Sequence, residues 1–352
     1  MLSDLGPALR TLLRSRAFTL TAALTLGLGL GAVTAVFSVV DAVLLRALPL
    51  PAPERLVELV PRAGGEERGG SPGLLAAWTA DDGRALSALA ALGGRDATLV
   101  RAGAPAERLA GLGVSGRFFA VTALPPARGR LLGPDDDRPG APRVLVLGHG
   151  AWRRLFGGDP GVVGRSLRLD GEPHTVVGVA PAALDALTAS ATSAGVGAEF
   201  YAPLALDPSQ QTNFTPYLSL IARLRPGVEA GAAERALDAV VGRLGPAALV
   251  DGARQQVAAA PLDVRLTAAY RLPLLLLLGA VGAVLLIACA NVGALVLARS
   301  VGRGRELAVR AAFGAGRGRL ARQLLAEHLV LGALATAVAV PAAALGVRAL
   351  VA

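Results

Sequence analysis

From Leu272 to Ala298 the chain carries no charged residue at all. A helix without a polar face over that many turns does not suit the surface of a water-soluble fold, where one side must meet solvent. About 20 apolar helical residues cross the ~30 Å hydrocarbon core of a bilayer, and this block is long enough. Two further blocks fit the same measure: Phe18 to Leu45, uncharged until Asp41, and Leu329 to Val347, which contains Pro341. The fold class expected is a membrane protein with transmembrane α-helices, three of them visible. Although 53% of the residues are hydrophobic, they gather in these blocks instead of spreading evenly, which is the pattern of spans and not of one large core.

The blocks divide the chain into a cytoplasmic amino-terminal segment (1–17), a first span (18–45), a long outer region (46–271), a second span (272–298), a basic loop (299–323) and a third span (324–352). Arg10, Arg14 and Arg16 before the first block give it the look of a secretory signal. A signal's apolar core runs to about 7–15 residues, so this longer block reads as an uncleaved anchor.

Charge sets the orientation. Every basic residue is arginine, and seven of them lie between Arg299 and Arg322 against a single carboxylate, Glu306. The amino-terminal segment holds three arginines against Asp4. With Glu327 set aside at the edge of the third span, the rest of the chain is nearly balanced, 25 arginines against 23 carboxylates. Short arginine-rich segments beside spans stay in the cytoplasm, so both are expected inside and residues 46–271 outside. A nucleic-acid binder would spread its positive charge over a folded face, and no nucleic-acid partner is expected. The single cysteine, Cys289, excludes a disulfide framework within the chain.

The outer region is long enough for one large domain or two small ones. Leu74 to Leu92 reads as a helical segment interrupted near Asp82 and Gly83. Ala97 to Arg101, Arg108 to Val114 and Arg143 to Leu147 read as short strands. Alternating runs flank Asp170–Gly171 between Ser166 and Val179, which predicts a hairpin, since both turn residues tolerate positive φ. A strand over Leu218 to Leu224, a helix over Glu229 to Leu244 and a strand over Gln255 to Ala259 form a β-α-β unit, making the region α+β.

Familiar chemistry is missing from this region. Gly111, Gly113 and Gly116 match G-x-G-x-x-G, but no convincing amphipathic helix follows to present a phosphate site. Asp135, Asp136 and Asp137, between Gly133–Pro134 and Pro139–Gly140, read as a solvated turn. His149, His174 and His328 are dispersed, and Gly148–His149–Gly150 lacks the serine of a nucleophile elbow. Without a lysine there is no Walker loop. No enzyme activity, no cofactor and no metal are expected.

What remains is mechanical. Gly27, Gly29 and Gly31 read as one smooth face of the first span, with Gly27 and Gly31 in G-x-x-x-G spacing. Such a face serves close helix packing; a Gly- and Ala-heavy sequence also simply tolerates glycine, and the residues leave both readings open. In the basic loop Glu306 and Arg310 stand four apart, a helix-supporting pair, and Gly314 with Gly316 supplies a stop. A second helical start at Arg317 to Gln323 runs on into the third span. The loop serves either as a stiff helix that carries force or as a basic amphipathic turn resting on membrane lipids.

The run Arg305-Glu306-Leu-Ala-Val-Arg310-Ala-Ala-Phe-Gly314-Ala-Gly-Arg317-Gly-Arg319-Leu-Ala-Arg322-Gln323-Leu-Leu-Ala-Glu327 resembles the signature of MacB/FtsX-type ABC transporter permeases. Similar matches run over nearly the whole chain. Phe18-Thr-Leu-Thr-Ala and Phe37-Ser-Val-Val-Asp-Ala-Val-Leu-Leu-Arg46 resemble that family's first span. Val114-Ser-Gly-Arg-Phe-Phe119, Gly129–Arg130, Trp152-Arg-Arg-Leu-Phe-Gly-Gly-Asp-Pro160, Val163-Gly-Arg165 and Val176-Val-Gly-Val-Ala-Pro181 resemble its periplasmic core domain. Ile287-Ala-Cys-Ala-Asn291-Val and Leu297-Ala-Arg299 resemble its second span in the form found in the tandemly duplicated orphan permeases of acidobacteria.

The resemblance implies an inner-membrane, multi-pass permease with a large α+β MacB-like periplasmic core domain. Residues 272–352 would form an incomplete FtsX-like permease domain, with the fourth span and a second, similar half absent. It implies a coupling helix of about Arg303 to Phe313, with Arg303, Arg305, Glu306, Leu307, Arg310, Phe313 and Gly314 against a separate cytoplasmic ABC ATPase subunit. Further implied partners are a periplasmic adaptor, an outer-membrane channel and a second permease half in a dimer or pseudo-dimer. The function implied is efflux by mechanotransmission; the alternative is an FtsX-like signalling or scaffold protein that activates an envelope partner and transports nothing. His328 stands where relatives commonly carry serine.

Overall fold

The structure, a computed structural model, describes residues 12, 15–45, 48–81, 84–101, 103, 105–302 and 317–351. It divides into two compact units, Ala47–Leu266 and a helical unit made of Met1–Arg46 with Thr267–Ala352.

The first unit is built on one continuous sheet. The inbound chain makes a short 3-10 turn at Pro53–Arg55 and then β1 (Leu56–Ala63), which folds back through Gly64–Gly65 onto β2 (Glu66–Glu67). Both turn glycines have positive φ, +61° and +85°, as a tight antiparallel turn demands. Helix α1 (Pro72–Ala80) follows, its amino end capped by the Ser71 hydroxyl, which accepts from the Leu74 N–H at 3.3 Å.

The sequence expectation fails next. The second half of the segment read as helical, Leu74 to Leu92, is strand β3 (Leu86–Gly94). Its Leu- and Ala-rich run has good helix propensity, but it lies between two other strands and is buried on both faces, and tertiary packing overrides so weak a preference. Strands β4 (Ala97–Val100), β5 (Glu107–Leu109) and β6 (Gly111–Val114) come next, so the strand expected over Arg108 to Val114 is two strands broken at Ala110.

Beyond helix α2 (Phe118–Thr122) lie β7 (Arg128–Gly129), β8 (Val144–Leu147), helix α3 (His149–Phe156), β9 (Ser166–Leu169) and β10 (Glu172–Val179). The hairpin expected around Asp170–Gly171 is present as β9–β10, with φ of +52° and +82° at the two turn residues. Helix α4 (Ala183–Thr188), β11 (Phe200–Pro203), β12 (Ser219–Leu224) and helix α5 (Ala230–Leu244) follow. The small hairpin of β13 (Leu249–Val250) and β14 (Ala253–Arg254) precedes β15 (Gln256–Pro261).

The sheet runs in the order β15-β1-β12-β3-β6-β11-β8-β10-β9-β4-β5, with β2 added to β1 and β7 to β10. Strands β12 and β15 both pair antiparallel with β1, so the expected β-α-β unit is a split one with β1 between its strands. One end of the sheet packs on α1 and α5 around Leu74, Trp78, Leu220 and Leu237; the other packs around Trp152, Leu145, Val176 and Phe200. Between them Phe118, Phe119 and Tyr201 stack, with ring centroids 5.1–5.8 Å apart. Burial pushes the Tyr201 phenol well above its ordinary pKa, although the Thr188 hydroxyl 3.3 Å away pulls the other way.

The helical unit holds the three apolar blocks. The first-span helix is Arg16–Val40, continued by a π turn at Asp41–Leu45; the second is Leu262–Gly302 and the third Arg317–Val351. Segments Arg16–Leu45, Leu262–Ala298 and Leu325–Ala349 are long and apolar enough to cross a bilayer. At 1.5 Å per residue each exceeds the ~30 Å required. Hydroxyls within them return to their own backbone, Thr34 to Leu30 at 2.8 Å, Ser38 to Thr34 at 2.7 Å and Thr336 to Gly332 at 2.9 Å, as a medium without water requires. Leu272, Leu276, Leu286 and Leu297 are exposed, the side-chain pattern of a lipid-facing helix.

The three glycines of the first span do not form one face. A Cβ at Gly27 would lie 2.6 Å from the Val338 Cβ, and one at Gly31 2.8 Å from the Ala342 Cβ, both on the third-span helix. A Cβ at Gly29 would meet the Leu285 Cδ1 at 3.1 Å, on the second. Two residues along a helix is a rotation of about 200°, so an i, i+2 glycine must point the opposite way. The first span is thus smooth on two sides.

Candidate functional site

The coupling-helix residues expected from the sequence, Arg303, Arg305, Glu306, Leu307, Arg310, Phe313 and Gly314, lie outside the described residues. The described flanks are helical: the second-span helix continues to Gly302 and the third-span helix begins at Arg317. Of the other predicted residues, Gly27 and Gly31 sit at the contact of the first and third spans.

At the outer domain the chain arrives through residues 48–55 and leaves through the first turn of the second-span helix. Both places are held by arginines that sequence reasoning did not single out. Arg223, on β12, is only 7% exposed. Its Nε donates to the Val121 carbonyl at 2.7 Å, its Nη1 to the Pro51 carbonyl at 2.7 Å and its Nη2 to the Thr122 carbonyl at 3.3 Å. Burial lowers its pKa, with the neighbouring Arg55 acting in the same direction. A planar guanidinium with five fixed donors serves several carbonyls at once, which an ammonium cannot.

Arg55 reaches back and donates twice to the Leu224 carbonyl, at 2.9 and 2.7 Å. On the outbound side Arg265 pairs with Glu58 of β1 and Glu67 of β2, both at 2.9 Å. Hydrogen bonds from Arg62 and then Arg265 hold the Glu67 carboxyl below the usual range. One signal for Arg223 was available in the sequence: a charge inside the apolar run Ser219-Leu-Ile-Ala-Arg-Leu224 must find partners or it would not be there.

The enzyme-like motifs resolve into structure. Gly111, Gly113 and Gly116 make room for neighbours, since a Cβ would meet the Phe200 ring at 2.2 Å, Leu204 at 3.0 Å and the Pro134 Cα at 2.5 Å respectively. Among the described residues no group of three metal-ligating side chains comes together.

The aspartate run is more than a solvated turn. Asp135 is exposed, but Asp136 takes two bonds from Arg130, at 2.6 and 2.8 Å, and one from the Gly133 N–H at 2.9 Å. Asp137 accepts from the N–H groups of Gly116 at 2.8 Å and Ala205 at 2.7 Å, while burial pushes its carboxyl pKa up. A proline- and glycine-flanked acidic run looks solvent-bound from sequence, and only the fold reveals which carboxylates turn inward.

The Arg130 hydrogen bond holds the Asp136 carboxyl below the usual range. A depressed folded-state pKa adds stability above the unfolded pKa, and that stability is lost as pH falls through the folded one. Asp136→Asn should therefore lower the unfolding free energy by about 1–2 kcal/mol at neutral pH. Urea titrations of the two proteins should converge once the pH is below the folded pKa of Asp136.

Comparisons with known proteins bear on both units. A family model described as the MacB-like periplasmic core domain matches residues 19–240. The macrolide export ATP-binding/permease protein MacB of Burkholderia thailandensis is 39% identical over 70 residues, 20% of this chain and 11% of that protein. The match thus spans about a tenth of the curated relative's length. Among solved structures, a domain of a permease protein from Porphyromonas gingivalis aligns with a TM-score of 0.46 and 17% identity, covering 60% of this chain and 91% of its own. The periplasmic region of MacB from Actinobacillus actinomycetemcomitans aligns at 0.43 and 16%, covering 61% and 92%.

Proposed function

Because the chain belongs to the family of the MacB-like periplasmic core domain, an inner-membrane permease type with a large α+β domain outside the cytoplasm, we propose that it is the permease subunit of an ABC-type efflux or mechanotransmission system. ATP hydrolysis in a separate subunit drives the spans, and the spans drive the outer domain. The observation that carries this reading is the family match over residues 19–240, joined to the arginine-dense segment between the second and third spans.

In this reading about Arg303 to Phe313 is the coupling helix. Arg303, Arg305 and Arg310 meet acidic groups on the ATPase, Leu307 and Phe313 pack on it, the Glu306–Arg310 pair stiffens the helix and Gly314 ends it. A periplasmic adaptor, an outer-membrane channel and a second permease half complete the assembly. The chain itself performs no chemistry; the ATPase does.

The test is co-purification. The tagged full chain, isolated from its native membrane in mild detergent, should retain an ABC ATPase subunit detectable by mass spectrometry. The double variant Glu306→Ala/Arg310→Ala should lose most of it, a drop of roughly tenfold for a loss near 1.4 kcal/mol. Retention at the wild-type level would remove the coupling role. A signalling protein of this family would show the same ATPase dependence, but its deletion would leave cellular drug and peptide tolerance unchanged.

A further inference from the structure

The passages of the chain into and out of the outer domain are held on two adjacent strands, one passage on each. The inbound passage is held at β12: Arg223 grips the carbonyls of Pro51 and Val121, and Arg55 grips Leu224 from the other side. The outbound passage is held at β1, through Arg265 on Glu58 and, one strand further, Glu67 on β2. Strands β1 and β12 are hydrogen-bonded neighbours, with Leu56 opposite Arg223 and Glu58 opposite Ile221. Leu50 on the inbound side and Leu262 on the outbound side belong to one buried cluster with Leu56 and Ile221, and Leu48 and Leu266 pack against it.

We infer that β1 and β12 form the drive strands of the outer domain, and that Arg223 and Arg265 are positioning residues that transmit the displacement of the first and second spans to them. The inference rests on the mechanotransmission reading and adds where force enters. An untethered linker would absorb a displacement of a few ångströms by rotating its backbone. Here Pro51, Arg55 and Arg265 are fixed by side-chain contacts to the sheet, so a displacement delivered to those residues is passed to the sheet rather than absorbed by the backbone. The two devices differ in kind. Arg223 is a buried cage of backbone carbonyls, and loss of its fork leaves several acceptors unpaired. Arg265 is a half-exposed ion-pair fork, whose removal leaves the fold in place and loosens one link.

Arg265 is therefore the residue to test. The full chain is reconstituted with its ATPase subunit in nanodiscs, and distances between spin labels are measured without nucleotide and after trapping with ATP and vanadate. One pair joins the native Cys289 in the second span to Leu24→Cys in the first, reporting on the spans. The other joins Cys289 to Arg168→Cys on β9, reporting on the outer domain. Cys289, Leu24 and Arg168 are all exposed, so labels fit without repacking.

In the wild type both distances should change on trapping. In Arg265→Gln the span pair should still change while the outer pair loses at least half its shift, and Arg265→Lys should restore part of it. Amide exchange on the same proteins gives a second readout, with faster exchange in residues 56–67 of Arg265→Gln. An outer-pair shift as large in Arg265→Gln as in the wild type would overturn the inference and leave the proposed function intact. If the wild type shows no nucleotide-dependent shift in either pair, the proposed function fails. The anchoring is then judged on exchange alone, and unchanged protection of residues 56–67 overturns that too.

Discussion

Gly178→Ala should cost the outer domain about 3 kcal/mol or more of its stability, a large share of the ~5–15 kcal/mol typical of a folded domain. At this position β7 crosses against β10, with Gly129 directly opposite Gly178. The crossing is so close that a Cβ at Gly178 would lie 2.0 Å from the Arg130 carbonyl oxygen and 2.8 Å from that of Arg128. Flexible side chains can yield to such a clash; backbone held by its own hydrogen bonds cannot. The Arg130 N–H donates to the Val177 carbonyl and the Ala127 N–H to that of Val179, both at 2.9 Å, so moving either strand breaks ladder bonds.

Gly129 is fixed by the same crossing, with φ of +61° and only 2.4 Å between a would-be Cβ and the Val177 carbonyl oxygen. The measurement is convenient because both tryptophans of the chain, Trp78 and Trp152, lie in the outer domain and are buried. Denaturant unfolding of the full chain in detergent, followed by tryptophan fluorescence, therefore reports that unit. Gly94→Ala, in a strand position where a Cβ meets nothing within 4 Å, should change the midpoint little. Equal midpoints for Gly178→Ala and the wild type would show that the crossing is not tight.

The crossing also explains what was legible in the sequence. Gly129–Arg130 and the Val176-Val-Gly-Val run carried the family resemblance because close backbone approach restricts the residue type, and restricted positions stay readable. The spans were legible for a similar reason: lipid admits few residue types, so Leu272 to Ala298 could hardly be read otherwise. Asp170–Gly171 was legible because its turn needs positive φ twice.

Strand β3 was not, since Leu-Ser-Ala-Leu-Ala-Ala-Leu obeys neither period when both faces are buried. The partners of the arginine anchors were illegible for another reason. Arg223 is separated by 172 residues from Pro51, and no local pattern reports so distant a partner. Arg265 sits just ahead of an apolar block, where an arginine is expected simply as a flank. The loop between the second and third spans inverts this pattern, since its residues are the most recognisable in the chain and yet 303–316 lie outside the described residues.

Gly27→Leu/Gly31→Leu should pry the first span from the third. In lipid there is no hydrophobic gain from bringing helices together, so association depends on how closely backbones approach. Gly27 and Gly31 lie one turn apart on the same side, where added Cβ atoms would stand 2.8 and 2.9 Å from the carbonyl oxygens of Ala335 and Ala339. Ala35 and Gly346 extend the contact, since a Cβ at Gly346 would lie 2.9 Å from that of Ala35. A leucine side chain at either site has nowhere to go but between the helices. Each substitution should weaken the contact by about 1–3 kcal/mol, and the two should not add, because one separation relieves both clashes. With Cys289 replaced by serine, spin labels at Leu24→Cys and Val340→Cys, both exposed, should move apart by roughly 2 Å, the spread between tight and wide helix contacts. Gly29→Leu decides whether the first span is smooth on one side or two. Its Cβ would face Leu285 and Ala288 of the second span, so it should leave the Leu24–Val340 distance unchanged and, in a second protein that keeps Cys289 and carries Leu24→Cys alone, widen the Leu24–Cys289 distance instead. If Gly29→Leu opened the same gap as Gly27→Leu, the three glycines would share a single face and the two-sided packing of the first span would be wrong.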